Sequence, residues 1–117
     1  MQQPPPLVER THNYGKRIRL FINSLQYNFK IEPDCKQLLR SSGSVGANYL
    51  EAQEAVSRKD FIHRIRIVRK EAHESRHWLF LLRELIDGSM IETCDLLIQE
   101  TTELIAIFTT IAKKVEK

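Results

Sequence analysis

Between Phe61 and Ile86, apolar and small side chains recur at alternating steps of four and three: Phe61, Ile65, Val68, Ala72, Ser75, Leu79, Leu82 and Ile86. That spacing places all eight on one face of a helix, and it is sustained for nearly four heptads. A stripe this long needs partner helices of similar length to cover it, which is the pattern of a coiled-coil-like bundle. The same helix carries a second series, Ile67, Glu71, Glu74, Trp78, Leu81 and Leu85. Apolar positions on two adjacent faces exceed what one bundle core requires.

The rest of the chain supplies the partners. A helix is predicted over about residues 7–29, with a stripe of Leu7, Thr11, Tyr14, Ile18, Phe21 and Leu25. Pro33 suits the first turn of a second helix running to about Gln53, because its missing N–H has no helical partner there. This helix shows three stripes: Cys35, Leu38, Ser42, Val45, Tyr49 and Ala52; Leu39, Gly43, Gly46 and Leu50; and Ser41, Ser44, Asn48 and Glu51. Two glycines inside a helix cost roughly 2 kcal/mol in propensity. Close approach of another backbone is the expected compensation, and a break between two short helices over residues 41–46 is the alternative. Ser57 followed by Asp60 reads as a capping box that opens the third helix, and Gly88 ends it. The fourth helix is expected over about residues 92–115 with a stripe of Leu97, Thr101, Leu104, Phe108, Ile111 and Val115. Short connections imply antiparallel neighbours, so the predicted fold is an all-α, up-down-up-down four-helix bundle over residues 7–117. Residues 1–6, with Pro4, Pro5 and Pro6, read as a disordered lead-in.

At 117 residues the chain fits one domain that needs no disulfide staples. Cys35 and Cys94 are its only cysteines, and without metal-type spacing they read as reduced packing residues. There is no run of about 20 apolar residues to span a membrane, and no secretory signal pattern. These features predict a cytoplasmic chain without a membrane partner.

The formal charge of +3 is unevenly spread. Arg58, Lys59, Arg64, Arg66, Arg69 and Lys70 stand against Asp60 alone, whereas Glu84, Asp87, Glu92, Asp95, Glu100 and Glu103 occupy a stretch without Lys or Arg. Folding the helices up and down would gather the start of the third helix, the end of the fourth (Lys113, Lys114, Lys117) and the start of the first (Arg10, Lys16, Arg17, Arg19) at one basic end. Arg58, Lys59, Arg64, Arg66, Arg69, Lys70, Lys113 and Lys114 are therefore the candidate nucleic-acid contacts. The bland reading is a solvated face with ordinary surface pairs. No aromatic platform interleaves with the run, so a stacking surface for single strands is not indicated.

One enzyme signature is present. His73-Glu74-Ser75-Arg76-His77 matches H-E-x-x-H, whose histidines at i and i+4 hold zinc beside a general-base glutamate in metalloproteases. In the heptad frame both histidines fall on the outer face, and no strand pattern offers the cleft such an enzyme needs. A zinc-dependent hydrolase is the alternative reading, and no cofactor is expected. For Glu51, Glu71 and Glu74 the expectation is hydrogen bonding to Ser or Asn side chains at a helix or subunit contact. Neither a phosphate-binding loop nor a nucleophile elbow is present.

Two segments resemble a known family. Arg40-Ser41-Ser42-Gly43-Ser44-Val45-Gly46-Ala47-Asn48 is similar to the signature R-(A/S)-x-x-S-(I/V)-x-x-N, and Lys70-Glu71-Ala72-His73-Glu74-Ser75-Arg76-His77-Trp78-Leu79 to K-E-A-x-E-S-x-x-W-L. Both belong to the bacterial four-helix bundle family, also called the ribosomal-RNA intervening-sequence protein family. The resemblance runs from about Leu7 to the C-terminus. It implies a bundle assembled as a ring-like homopentamer, with no established enzymatic activity. It also implies a distant likeness to the accessory protein of diversity-generating retroelements, which binds reverse transcriptase and nucleic acid. The family's N-I-A-E-G ending is Asn48-Tyr49-Leu50-Glu51-Ala52 here. The missing glycine lengthens the second helix, and Tyr49 adds bulk. With the resemblance, Gly43, Gly46, Asn48, Glu51, Ile67, Glu71, Glu74, Trp78, Leu81 and Leu85 become the candidate subunit interface. The expected function is a non-enzymatic, homo-oligomeric binding or scaffold module whose partner is nucleic acid or a nucleic-acid-processing protein. A purely structural protein-interaction bundle is the third reading.

Overall fold

The computed structural model describes residues 6–116 and consists of four long helices: α1 (Leu7–Ser24), α2 (Glu32–Gln53), α3 (Arg58–Arg83) and α4 (Ile91–Val115). A 3₁₀ turn, Gly88–Met90, leads into α4. Among the described residues there is no strand, and no helix is long and apolar enough to cross a membrane. The expected lead-in over residues 1–6 and the terminal Lys117 lie outside the described residues, apart from Pro6. The Pro6 carbonyl accepts the Arg10 amide and starts α1.

Each helix packs on its chain neighbours, and α1 also reaches α4. The heptad stripe of α3 forms the centre: Ile65, Val68, Ala72, Ser75, Leu79 and Leu82 are buried, against Tyr14, Ile18 and Phe21 of α1, Leu38 and Val45 of α2, and Leu97, Leu104 and Phe108 of α4. Phe61 and Ile86, at the stripe's ends, pack partly buried against this core. Burying each large apolar side chain contributes about 1.5–3 kcal/mol, and all four helices contribute to this core.

The stripes contain polar side chains, and these meet one another. Tyr14 Oη and Thr101 Oγ1 are 2.7 Å apart, and Ser41 Oγ and Ser75 Oγ are 2.8 Å apart, all buried. Thr101 also donates to the Leu97 carbonyl and Ser75 to the Glu71 carbonyl. Each helix thus contributes a side chain to one of these hydroxyl pairs, while Thr11 and Ser42, also buried, donate to carbonyls of their own helices. Among the described residues no buried side-chain N or O atom lacks a partner. Burial pushes the Tyr14 hydroxyl up to about 12, against the opposing hydrogen bonds of Thr101 and Ser75.

Helix α2 is continuous through both glycines, so the break expected as an alternative over residues 41–46 does not occur. The expected approach of another backbone is found only at Gly46, and only at ordinary contact distance: a Cβ there would stand 3.5 Å from the Thr11 carbonyl oxygen of α1, whereas one at Gly43 would meet no backbone but the Arg19 side chain, 2.9 Å from Nη2. Tyr49 turns its ring edge to Phe108, centroids 5.4 Å apart, so its bulk is absorbed between α2 and α4.

Two helix ends differ from the sequence expectation. Helix α1 stops at Ser24, five residues before Phe29, and Leu25 is already extended. The Asn28 side chain accepts the amides of Lys30 and Ile31, an Asx-type turn that competes with helix continuation. Helix α3 ends at Arg83 rather than near Asp87; the Asp87 side chain instead accepts the Ser89 amide and caps the short turn. At the start of α3 the cap is as expected, with Ser57 Oγ accepting the Asp60 amide at 3.1 Å.

Candidate functional site

The two motif segments lie on α2 and α3, and their fixed positions meet across the seam between those helices. Arg40 Nη1 donates to Glu71 Oε2 at 3.1 Å, and Arg40 Nη2 pairs with Glu74 Oε1. Trp78 Nε1 reaches the same Glu74 oxygen at 3.4 Å. At the next residue of each helix, the Ser41–Ser75 hydroxyl pair closes the seam inside. Further on, Asn48 donates to Ser44 Oγ at 2.8 Å and to the Ser44 carbonyl at 3.0 Å, and accepts from Arg64 Nη1 at 3.0 Å. The motif is thus a polar zipper: arginine against two glutamates, serine against serine, asparagine against arginine. The Arg40 hydrogen bond holds the Glu74 carboxyl below the usual range, and Glu74 in turn raises Arg40.

This corrects one expectation. Glu71 and Glu74 are satisfied by arginine and tryptophan rather than by serine or asparagine, and Glu51 is exposed. A carboxylate buried as deeply as Glu71 requires a cation or several donors, and Arg40 lies four residues before Ser44 on the same helix face.

The remaining interface candidates divide. Gly43 and Gly46 face α1. With Thr11, Gly15, Ala47 and the apolar side chains Val8, Leu20 and Leu50 they line an open groove of about 860 Å³ between α1 and α2. Ile67 and Trp78 are half-buried, whereas Leu81 and Leu85 are 41% and 48% exposed. The structure does not bring the groove and this ridge together within one chain: the first belongs to α1 and α2, the second to the end of α3.

The basic residues concentrate where α3 begins and α4 ends. Arg58 Nε donates to the Val115 carbonyl at 2.9 Å, which brings those two ends together. Arg66 pairs with Glu116 at 2.8 Å and Arg64 with Asn48. Lys59, Lys70, Lys113 and Lys114 are exposed, Arg69 is half-buried, and none of the five makes an ion pair among the described residues. Lys113 and Lys114 also stand in the last turn of α4, where the helix dipole favours cations. Arg10 does not add to this cluster. Its guanidinium lies on Glu100 (2.7 and 3.0 Å) and Glu103 (3.2 Å), so the start of α1 meets the middle of α4 and is neutralised there. Helix α1 is shorter than α3 and α4 by seven residues or more, and its N-terminus falls short of the cluster.

His73 and His77 are exposed on α3. His77 packs edge-on against Trp78, centroids 4.9 Å apart, and Glu74 is engaged by Arg40 and Trp78. Burial and the neighbouring Arg76 and Arg69 lower the His73 pKa. Among the described residues no three His, Cys, Asp or Glu side chains converge as a metal site. Burial also pushes the Cys94 thiol up to about 11 and raises Cys35, so neither is an activated thiolate.

Sequence reasoning missed Arg40 as the partner of both motif glutamates. The signal was available, since an arginine and two carboxylates recur in the two motifs, but helix phase alone does not say which faces of α2 and α3 meet.

The 23S rRNA-intervening sequence protein model matches residues 8–110. Among solved structures, a protein of unknown function of the S23 ribosomal protein family from Bacteroides thetaiotaomicron is 32% identical, with a TM-score of 0.76 over 92% of this chain and 99% of that one. A comparison with functionally curated proteins returns no match. With the motif residues paired as described and the match spanning all four helices, the chain belongs to the 23S rRNA-intervening sequence protein family.

Proposed function

We propose that this chain is a non-enzymatic, homo-oligomeric binding module of the cytoplasm, an antiparallel bundle assembled as a ring-like pentamer. Its basic end contacts nucleic acid or a nucleic-acid-processing protein. The observation that carries the reading is the cluster of exposed cations where α3 begins and α4 ends: among the described residues Lys59, Lys113 and Lys114 make no ion pair, with Arg58 and Arg66 beside them. In a ring, several copies of this end would lie together, so a weak single patch becomes a multivalent one. The antiparallel arrangement is supported by the contacts at the two ends of the α3–α4 pair, Arg58 with Val115 and Arg83 with Asp95.

The test uses Lys59→Glu, Lys113→Glu and Lys114→Glu together, since these side chains make no ion pair among the described residues. Binding to RNA and to DNA is measured as a function of salt. The reading expects affinity to fall at least tenfold and the slope of log K against log salt to flatten by about 0.7–0.9 for each phosphate contact removed. Nucleic-acid binding that ignores the triple substitution and is insensitive to salt would refute the patch.

A further inference from the structure

The α1–α2 groove and the α3 ridge are two unpartnered surfaces of opposite shape and opposite charge. The groove is concave, floored by Gly15, Gly43, Gly46 and Ala47, with Val8, Leu20 and Leu50 exposed along it. Its rim carries Lys16 and Arg19. The Arg19 guanidinium lies across the floor and donates only to the carbonyls of Gly15 (2.9 Å) and Leu39 (3.2 Å). Lys16 makes no ion pair among the described residues. One acid, Glu9, shares this lining. Among the described residues, two cations thus edge an apolar groove without forming an ion pair.

The ridge is the complement. Phe80, Leu81 and Leu85 are 51%, 41% and 48% exposed within the last turns of α3 and the residues that follow. Leu85 stands one turn after Leu81, and Glu84 one turn after Phe80, so an apolar row runs beside a row ending in a carboxylate. Exposed Asp87 follows. The neighbouring Arg83 is paired with Asp95 at 2.6 Å and feels Glu84 only as a minor coulombic attraction, so Glu84 makes no ion pair among the described residues.

We propose that the groove is the socket of a head-to-tail contact and that it receives the Phe80–Leu81–Leu85 ridge of a second copy of this chain, with Glu84 of that copy facing Lys16 and Arg19. The inference rests on the reading of the chain as a self-assembling module and specifies the mating surfaces. Self-pairing of either surface is disfavoured. Groove against groove would set Lys16 and Arg19 against their own copies and leave a void, and ridge against ridge would oppose two Glu84 carboxylates. A contact between two different surfaces repeats from copy to copy and closes into a ring when the rotation allows, which is how a pentamer must be built.

The experiment uses the full chain with Leu50→Glu in the groove and Leu81→Glu in the ridge. Both side chains are exposed, and circular dichroism confirms that each variant stays helical. Light scattering coupled to size exclusion gives the mass of wild type, of each variant and of their equimolar mixture. Each variant alone is expected to be monomeric over concentrations at which wild type is fully assembled, a loss of about a hundredfold or more in affinity for substitutions at an anchor position. The mixture is expected to give a dimer, because each variant keeps the surface that the other has lost. Lys16→Glu and Glu84→Lys form a second pair that leaves the apolar packing intact. Each alone is expected to weaken assembly, and the two changes combined in one chain to restore it. Either apolar variant retaining the wild-type mass, or a mixture that remains monomeric, overturns the proposal while self-assembly stands. A monomeric wild type removes both.

Discussion

Removing the Arg40 guanidinium leaves Glu71 and Glu74 facing the same space with no cation between them. An exposed ion pair alone is worth a few tenths of a kcal/mol to about 1 kcal/mol, and Arg40 is half-exposed. The loss exceeds that of a simple pair because Glu71 is buried. Arg40→Gln is expected to lower unfolding stability by about 1–2 kcal/mol in urea titrations at neutral pH. The pH dependence fixes the cause. Glu74 titrates below its ordinary value of about 4.5 in the fold, so its contribution is full above that pH and is lost as pH falls through the lower folded value. The gap between wild type and Arg40→Gln therefore narrows in acid, and a gap that persists unchanged would assign the effect to packing. Tyr14 gives the opposite sign. Its hydroxyl is held up to about 12, so the fold keeps that proton where the unfolded chain has lost it, and stability falls as pH rises from about 10 to 12. Tyr14→Phe is expected to cost about 0.5–1.5 kcal/mol near neutrality and to show a shallower alkaline loss than wild type.

At the scale of elements, the glycines of α2 have different environments. Gly46 faces the Thr11 backbone at an ordinary contact distance, so a methyl group there fits, and Gly46→Ala gains helix propensity. The expected outcome is a stabilisation of up to about 1 kcal/mol by thermal or urea unfolding. A destabilisation of similar size would mean that α1 and α2 cannot yield even slightly. At Gly43 a methyl group displaces Arg19 from its place over the groove, a flexible side chain that can move. The four helices and their buried stripes were legible in the sequence because each stripe repeats three or more times, and such periodicity survives local exceptions. The α1 terminus was not. Its apolar positions continue to Leu25, and a single side-chain turn at Asn28 decides where the helix stops. The pairing of Arg40 with Glu71 and Glu74 was legible only as charges on two helices, because inter-helix register depends on tertiary contacts that no single stripe records.

Over the whole molecule, the charge polarity read from sequence is present in modified form. The cations at the start of α3 and the end of α4 gather at one end, as expected from the run Arg58–Lys70, but Arg10 is withdrawn from it by Glu100 and Glu103 and Arg19 lies against the Gly15 and Leu39 carbonyls. Those two acids, which close the sequence stretch without Lys or Arg, lie at the level of the first turns of α1. Trp78 connects the scales: half-buried, bonded to Glu74 and edge-on to His77, it stands one turn before Leu81 and Leu82. Trp78→Ala is expected to weaken assembly more than helix content, measured by light scattering and circular dichroism on the same samples. Full assembly with reduced folding stability would place Trp78 in the service of the single bundle.

Self-assembly is the central claim, and the absolute mass of the wild-type chain tests it most directly. Light scattering coupled to size exclusion, with nuclease treatment and high salt to strip nucleic acid, is expected to give about 68 kDa, five times the 13.7 kDa chain. A mass of 13.7 kDa at every concentration and salt would contradict it.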